Sequence, residues 1–105
     1  MKNTDYQTAA MATESNDYTG VLLRISSQQS IRLLHAAIGI ADEAGEFASA
    51  VKKPVFYGKK LDKTNLVEEL GDLMWYIAQA CDVIGVSIDE VQEANILKLK
   101  ARYGG

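Results

Sequence analysis

The sequence predicts an all-α protein folded as one domain over residues 1–105. Apolar residues recur three and four positions apart, and alternating runs of β-branched residues are absent, which is the pattern of amphipathic helices. The chain is 48% hydrophobic with a single proline, a composition that excludes a disordered protein. Because so short a chain builds only a marginal core, the composition is also consistent with a homo-oligomer.

Two short helical segments are expected near the N-terminus. Thr4 and Gln7 have the spacing of a capping box, so a first helix is predicted from Thr4 and is expected to fade near Glu14. Apolar residues between positions 18 and 29 indicate one or two further helical turns.

A long helix is predicted next, from Ser27 or Ser30 to Lys53. Pro54 is expected to end this helix, because proline lacks the backbone N–H that a helix interior uses and its ring crowds the preceding turn.

Two more helices follow a polar loop. The first of them is predicted over residues 64–84, with Asp62 or Thr64 as its cap. The last runs from a capping box formed by Ser87–Glu90 to Tyr103. Because the link between these two helices is only two or three residues long, they are expected to be antiparallel neighbours.

Two pairs of acidic residues carry the strongest functional signal. Glu43 and Glu46 lie in the long helix, Glu69 and Asp72 lie in the next one, and each pair has i, i+3 spacing beside an apolar face. Between packed helices, each contact among these carboxylates at about 5 Å costs about 3 kcal/mol at an effective dielectric constant of about 20. A cation removes this cost, and a site made of oxygen ligands suits Mg²⁺ or Mn²⁺. One pair alone is usually a solvated helix face, but two such pairs favour a metal site.

The last helix carries a polar line inside its apolar stripe. Asn95 falls within the stripe, and Lys98 and Arg102 lie beside it. An amide and two cations in this arrangement are able to hold a phosphate chain. Asn95 fits equally well as a buried polar residue that fixes the register of the helix.

Three further residues are candidates for contact with a ligand. Trp75 is expected on the polar side of its helix, where an exposed tryptophan marks a subunit interface or a ligand platform. Tyr76 shares a flank with the acids and fits either substrate binding or the core. His35 is the single histidine, and a ligand role competes there with ordinary packing.

Charge and composition exclude several classes of protein. A net charge of −3 argues against a nucleic-acid-binding protein, and no apolar run approaches the roughly 20 residues that a membrane span needs. The N-terminus has no hydrophobic signal core, and the single Cys81 allows no intrachain disulfide. The sequence therefore predicts a cytoplasmic protein whose partners include neither nucleic acid nor a membrane.

The segments around the acidic pairs resemble a known family. Glu43 and Glu46 form E-x-x-E, a spacer of 22 residues (47–68) follows, and Glu69 and Asp72 form E-x-x-D. The wider segments HAAIGIADEAGEFASAVKK, VFYGKKLDK, LVEELGDLMWYIAQ and NILKLKARY look like those of short, often phage-borne, MazG-like proteins. About residues 28–103 thus resemble the all-α nucleoside triphosphate pyrophosphohydrolases of the MazG-like group.

The resemblance implies a four-helix bundle that assembles into homodimers or homotetramers. It also implies Mg²⁺-dependent hydrolysis of a (deoxy)nucleoside triphosphate to the monophosphate and pyrophosphate, an activity that clears the nucleotide pool. All four acids would bind Mg²⁺. Our hypothesis for the catalytic base is an acid that is not fully engaged as a ligand, with Glu46 or Glu43 as the candidate. The substrate-binding candidates, several of which fall where the family contacts the nucleotide, are Lys53, Asn95, Lys98, Trp75, Tyr76, His35 and Arg102.

Other hypotheses remain at this point. The dUTP- and dCTP-specific pyrophosphatases share the acid pattern, so the substrate does not follow from the resemblance. A non-catalytic helical dimer that acts as a binding or regulatory module also has this kind of sequence. A di-iron carboxylate protein is disfavoured, because its typical Glu-x-x-His pairs are missing.

Overall fold

The computed structural model describes the backbone of residues 3–104 and the side chains of residues 5–104. No strand occurs among the described residues, so the predicted all-α class is confirmed. Within the same part of the chain, no helix combines the length and the apolar character that crossing a membrane requires. In chain order the helices are α1 (Asn3–Met11), α2 (Tyr18–Arg24), α3 (Gln28–Tyr57), α4 (Lys63–Ile84) and α5 (Ile88–Tyr103).

The two N-terminal helices lie where the sequence predicts them. α1 begins at Asn3, one residue before the predicted start, and the side chain of Thr4 with its predicted cap lies outside the described residues. A turn over residues 12–14 follows α1. The N-cap of α2 is Asp17, whose side chain accepts a hydrogen bond from the backbone N–H of Gly20 at 3.1 Å.

α3 is longer than predicted at its C-terminal end. It starts after Ser27, one of the two predicted start positions, whose side chain caps the helix. The predicted end at Lys53 is wrong, because the helix continues through Pro54 to Tyr57. Proline has a φ that suits a helix, and its missing N–H removes one backbone hydrogen bond from α3. The helix ends one turn later at Gly58, which has φ 65°.

α4 and α5 begin at caps that the sequence predicts. Asp62 accepts a hydrogen bond from the backbone N–H of Asn65, so it is Asp62 rather than Thr64 that caps α4. The capping box of Ser87 and Glu90 is present at the start of α5. Each of the two helices ends at a glycine in the left-handed conformation, which residues with a Cβ rarely adopt.

The packed part of the fold is the pair of α3 and α4, which the loop 58–62 joins. Ile77 and Leu73 lie partly buried along α4. Among the residues that the structure describes, the buried ones are small or medium in size, namely Ala36, Gly39, Cys81 and Val83. This pairing sets the acids of α3 opposite the acids of α4.

Outside the pair of α3 and α4, the helices make few contacts with one another. Every residue of α5 is exposed and its contact with α4 is slight, so the close packing expected from their short link is not made within one chain. The radius of gyration is 19.8 Å, compared with about 13 Å for a compact domain of this length. Large apolar side chains such as Ile96 and Leu97 consequently face solvent in the single chain.

Candidate metal centre

Three of the four predicted acids meet between α3 and α4. Glu43 from α3 and Glu69 and Asp72 from α4 each offer one carboxylate oxygen, and these oxygens lie within 4.8 Å of one another. Glu43 and Glu69 are half-buried, whereas Asp72 is exposed. The i, i+3 spacing puts the two acids of α4 on one side of that helix, and helix pairing brings Glu43 to them. We refer to these three residues as the acid cluster.

Glu46 does not join the acid cluster. It lies one helical turn after Glu43, is exposed, and lines a neighbouring cavity together with Glu69. The structure therefore brings together three of the four predicted metal ligands. Three carboxylate oxygens leave open positions on a six-coordinate ion for water or for oxygens of a bound molecule.

The like charges of the acid cluster affect the protonation of Glu43. Its pKa is raised above the usual value, first by loss of hydration and then by the negative charges of Asp72, Glu69, Asp42 and Glu46, in that order. Loss of hydration and the charges of the two acids on α4 therefore both disfavour the ionised form of Glu43. A divalent cation at this point would oppose the shift, because a positive charge favours the carboxylate form.

A cavity of about 350 Å³ extends from the acid cluster towards the N-terminal end of α4. Glu46 and Glu69 line it, and Lys53, Lys59 and Lys60 also line it, so we call it the lysine cavity. Lys53 comes from the last turns of α3, and the other two lysines come from the loop 58–62. Three ammonium groups beside a cluster of acids suit a phosphate chain that is bound with a cation.

A second cavity, of about 400 Å³, lies towards the C-terminal end of α4. Glu43 and Asp72 line it on the side of the acid cluster, and Trp75 and Tyr76 supply its aromatic wall. We call it the aromatic cavity. The acid cluster thus lies between a cavity with lysines and a cavity with aromatic rings.

Tyr76 packs directly against the backbone of α3 at Gly39. Gly39 is buried, and a Cβ at this position would collide with the tyrosine ring. The ring also meets His35 and Trp75 edge-on, with ring centroids 5.5 Å and 5.1 Å away. Trp75 is 59% exposed, which leaves its ring accessible beside the aromatic cavity. Three predicted substrate-binding residues therefore form one group.

His35 is held by a contact across the helix pair that the sequence did not indicate. Nε2 of Gln79 on α4 lies 3.3 Å from Nδ1 of His35 on α3. Oε1 of Gln79 is buried and has no hydrogen-bond partner among the described residues. Further along the same pair, Arg32 donates to a carboxylate oxygen of Asp82 at 2.7 Å. These polar contacts fix the position of α4 against the first half of α3.

The predicted substrate-binding residues of α5 lie apart from this site. Asn95, Lys98 and Arg102 are all exposed. The described residues that line the lysine and aromatic cavities come from α3, α4 and the loop between them. A role for these three residues in the same site remains a prediction.

Lys59 and Lys60 line the site although the sequence pattern did not assign them to it. Both lie in a loop, where no helical period relates them to the acids. The available signal was the lysine doublet that directly follows Gly58, at the end of the helix that carries Glu43 and Glu46.

A comparison with known protein families identifies the family of this chain. The family model described as "MazG nucleotide pyrophosphohydrolase domain" matches residues 29–104. The chain belongs to the MazG nucleotide pyrophosphohydrolase family. The resemblance seen in the sequence is thereby confirmed, and the match covers the acid cluster, both cavities and α5.

Two known proteins are similar to this MazG-family chain over part of its length. The Gene 37 protein of Mycobacterium phage L5 is 36% identical over 75 residues, which are 67% of this chain and 65% of that protein. The uncharacterized protein YvdC of Bacillus subtilis (strain 168) is 34% identical over 73 residues, or 61% of this chain and 69% of that protein. The match thus spans slightly less than two thirds of the phage protein. No solved structure matches the chain.

The residues of this MazG-family chain fit the divalent metal on which the family generally depends. The acid cluster offers oxygen atoms only, and it draws them from two packed helices. Such a donor set suits Mg²⁺ or Mn²⁺ better than the softer metals that prefer nitrogen and sulfur ligands.

Proposed function

We propose that this protein hydrolyses a (deoxy)nucleoside triphosphate to its monophosphate and pyrophosphate in a Mg²⁺-dependent reaction. Within the MazG family, the observation that carries the proposal is the acid cluster beside the lysine cavity. A metal site next to several cations suits a substrate with a chain of phosphates. The proposed role is to clear nucleotides from the cytoplasmic pool, where the single Cys81 remains a free thiol.

Glu43, Glu69 and Asp72 are the proposed ligands of Mg²⁺, with Mn²⁺ as an alternative ion. When bound, the ion supplies Lewis-acid chemistry, offsetting the phosphate charge and acidifying water. The contribution of the chain is to hold three carboxylates together by the pairing of α3 with α4. Glu46 was also predicted as a ligand, but its position outside the acid cluster supports a different role.

We propose Glu46 as the general base. It is exposed on the lysine cavity and one turn from the acid cluster, so its carboxylate is available to a water molecule beside a bound phosphate. The carboxylate takes a proton from the water while the water oxygen bonds to phosphorus. The bond between the bridging oxygen and that phosphorus breaks, and the electron pair leaves with the departing group. Attack on the α- or the β-phosphorus gives the same two products.

The two cavities support binding of the phosphates in the lysine cavity and of the base in the aromatic cavity. Lys53 lines the lysine cavity and is the proposed phosphate-binding residue of α3. Trp75 and Tyr76 line the aromatic cavity, where their rings are able to stack on a nucleobase. His35 supports this group through its contact with Tyr76.

We also propose that the protein is a homo-oligomer, either a homodimer or a homotetramer. Within the described part of the chain, only small and medium side chains are buried and the apolar side chains of α5 stay in solvent, which is a poor basis for a stable monomer. Sedimentation at micromolar concentration is expected to give the mass of two or four chains. The mass of one chain across that range would contradict the proposal.

A substrate panel tests the activity. Each common ribonucleoside and deoxyribonucleoside triphosphate is incubated with the protein and Mg²⁺, and pyrophosphate release is measured beside a control with EDTA. Release that requires the metal is the expected result. Release from dUTP or dCTP alone would identify a pyrophosphatase specific for that nucleotide.

Thermal melts separate the enzyme from a non-catalytic helical module. A metal at about 100 times its dissociation constant stabilises the folded protein by about 2.7 kcal/mol, so Mg²⁺ is expected to raise Tm relative to EDTA. A folded protein that releases no pyrophosphate with Mg²⁺ or Mn²⁺, and whose Tm is the same with metal and with EDTA, would favour the module.

A further inference from the structure

The loop between α3 and α4 is held in place at both ends. At its start, the backbone N–H groups of Gly58 and Lys59 both donate to the carbonyl oxygen of Lys53. At its end, Asp62 caps α4. Lys59 and Lys60 are thereby fixed on the same cavity as Lys53, although they are separated from it by the last turn of the helix.

The lysines of this cavity are not neutralised by the chain. The ion pairs among the described residues are those of Arg24 with Asp17 and of Arg32 with Asp82. Lys53, Lys59 and Lys60 therefore pair with no described acid, although acidic residues line the same cavity. Their ammonium groups remain available to an anion from outside the chain.

A nucleotide needs positive charge at its phosphates and an apolar or aromatic surface at its base. The two cavities differ in which of these they offer. The described lining of the lysine cavity contains no aromatic ring, and that of the aromatic cavity contains no lysine or arginine. A nucleotide across the acid cluster therefore has one favourable orientation, with its base at Trp75 and its terminal phosphates at the loop. The reverse orientation places the base among ammonium groups and the phosphates beside acids that lack a nearby cation from the chain.

We infer that Lys59 and Lys60 bind the β- and γ-phosphates, which together form the pyrophosphate product. This inference rests on the proposed function and assigns a site for that product within it. Lysine suits the task because its ammonium group is a compact point charge with three donors, able to follow a phosphate chain that changes geometry as a bond breaks. Lys53 comes from α3 rather than from the loop and lines the same cavity as Glu46 and Glu69, and it is assigned to the remaining phosphate at the bond that breaks.

The test compares the double variant Lys59→Gln/Lys60→Gln with the matched variant Lys52→Gln. Lys52 is also an exposed lysine, but its Nζ lies 5.9 Å from the centroid of the Tyr57 ring and it does not line the lysine cavity. All three substituted positions are exposed, so glutamine is accommodated without repacking, and circular dichroism verifies that helicity is unchanged. Binding is measured by calorimetry in Mg²⁺ with inorganic pyrophosphate and with the nucleoside monophosphate formed in the substrate panel.

The double variant is expected to bind pyrophosphate roughly tenfold or more weakly than wild type, because charge-assisted hydrogen bonds are lost. Binding of the monophosphate is expected to stay at the wild-type value in the double variant, and both ligands should bind normally to Lys52→Gln. Unchanged pyrophosphate binding, or an equal loss for both ligands, would overturn the inference. A wild-type protein that releases pyrophosphate from no nucleotide would instead remove the proposed function, so the two failures are distinct.

Discussion

Substitution of Glu69 by Gln is expected to lower turnover by at least about 100-fold, since even groups that only support a metal ligand cost about 10–100-fold when removed. Glu69 contributes an oxygen to the acid cluster and also lines the lysine cavity, so it contacts both proposed parts of the site. Glutamine keeps the size of the side chain and removes its charge. Pyrophosphate release under saturating Mg²⁺ is the measurement.

The neighbouring Glu68 is the matched control for this substitution. It precedes Glu69 in α4 but is exposed and lies outside both the acid cluster and the lysine cavity. Glu68→Gln should therefore retain wild-type turnover. Without metal, Glu69→Gln should be at least as heat-stable as wild type, because one of three crowded negative charges is gone. Wild-type activity in Glu69→Gln, or an equal loss in both variants, would remove Glu69 from the site.

Substitution of Gly39 by Ala is expected to lower Tm by several degrees. The added Cβ would collide with the ring of Tyr76, and overpacking of this kind costs about 1–3 kcal/mol. Alanine favours a helix over glycine by about 1 kcal/mol, which offsets part of that cost. For a domain of this size each kcal/mol shifts Tm by about 4–8 °C, so the remaining destabilisation is measurable by a thermal melt.

Gly45 is the control on the same helix. A Cβ added there meets no described atom within 4 Å, so Gly45→Ala gains the helix preference without a collision and is expected to hold or raise Tm. A double-mutant cycle isolates the cause: in a Tyr76→Ala background, Gly39→Ala should no longer destabilise. If Gly39→Ala lowers Tm equally in both backgrounds, the ring of Tyr76 is not what the added methyl group meets.

The sequence predicted those parts of the fold that depend on local interactions. Asp62 and Ser87 cap their helices by bonding to backbone groups three residues away, so their effect is visible in a short segment. The predicted end of α3 at Lys53 was wrong because the helix continues through Pro54. The caps and packing of the rest of α3 outweigh the loss of one hydrogen bond at the proline.

The part of the site that depends on spacing within one helix was also predictable from the sequence. The spacing of Glu69 and Asp72 fixes them on one side of α4, and the apolar face of α3 indicates which acids approach α4. Spacing does not determine how far one helix slides along the other, and that offset selects Glu43 and leaves Glu46 outside. Lys59 and Lys60 lie in a loop, so their place on the cavity follows only from the path of the chain in three dimensions.

The apolar stripe of α5 stays a prediction, because a stripe in the sequence does not identify the surface that covers it and every residue of α5 is exposed in the single chain. Ile88, Val91 and Leu99 remain exposed at 38–43% of their surface within one chain. The α3–α4 pair does not bury these side chains, and the sequence of one chain does not indicate which other surface would.

The short loop that joins α3 to α4 has a consequence for the order of folding. The loop 58–62 is short, so little chain entropy is lost when α3 and α4 first pair beside it. Glu43, Glu69 and Asp72 all belong to this hairpin. We therefore expect the three carboxylates to approach one another while the hairpin forms, and a cation bound at that stage would offset their repulsion and assist folding.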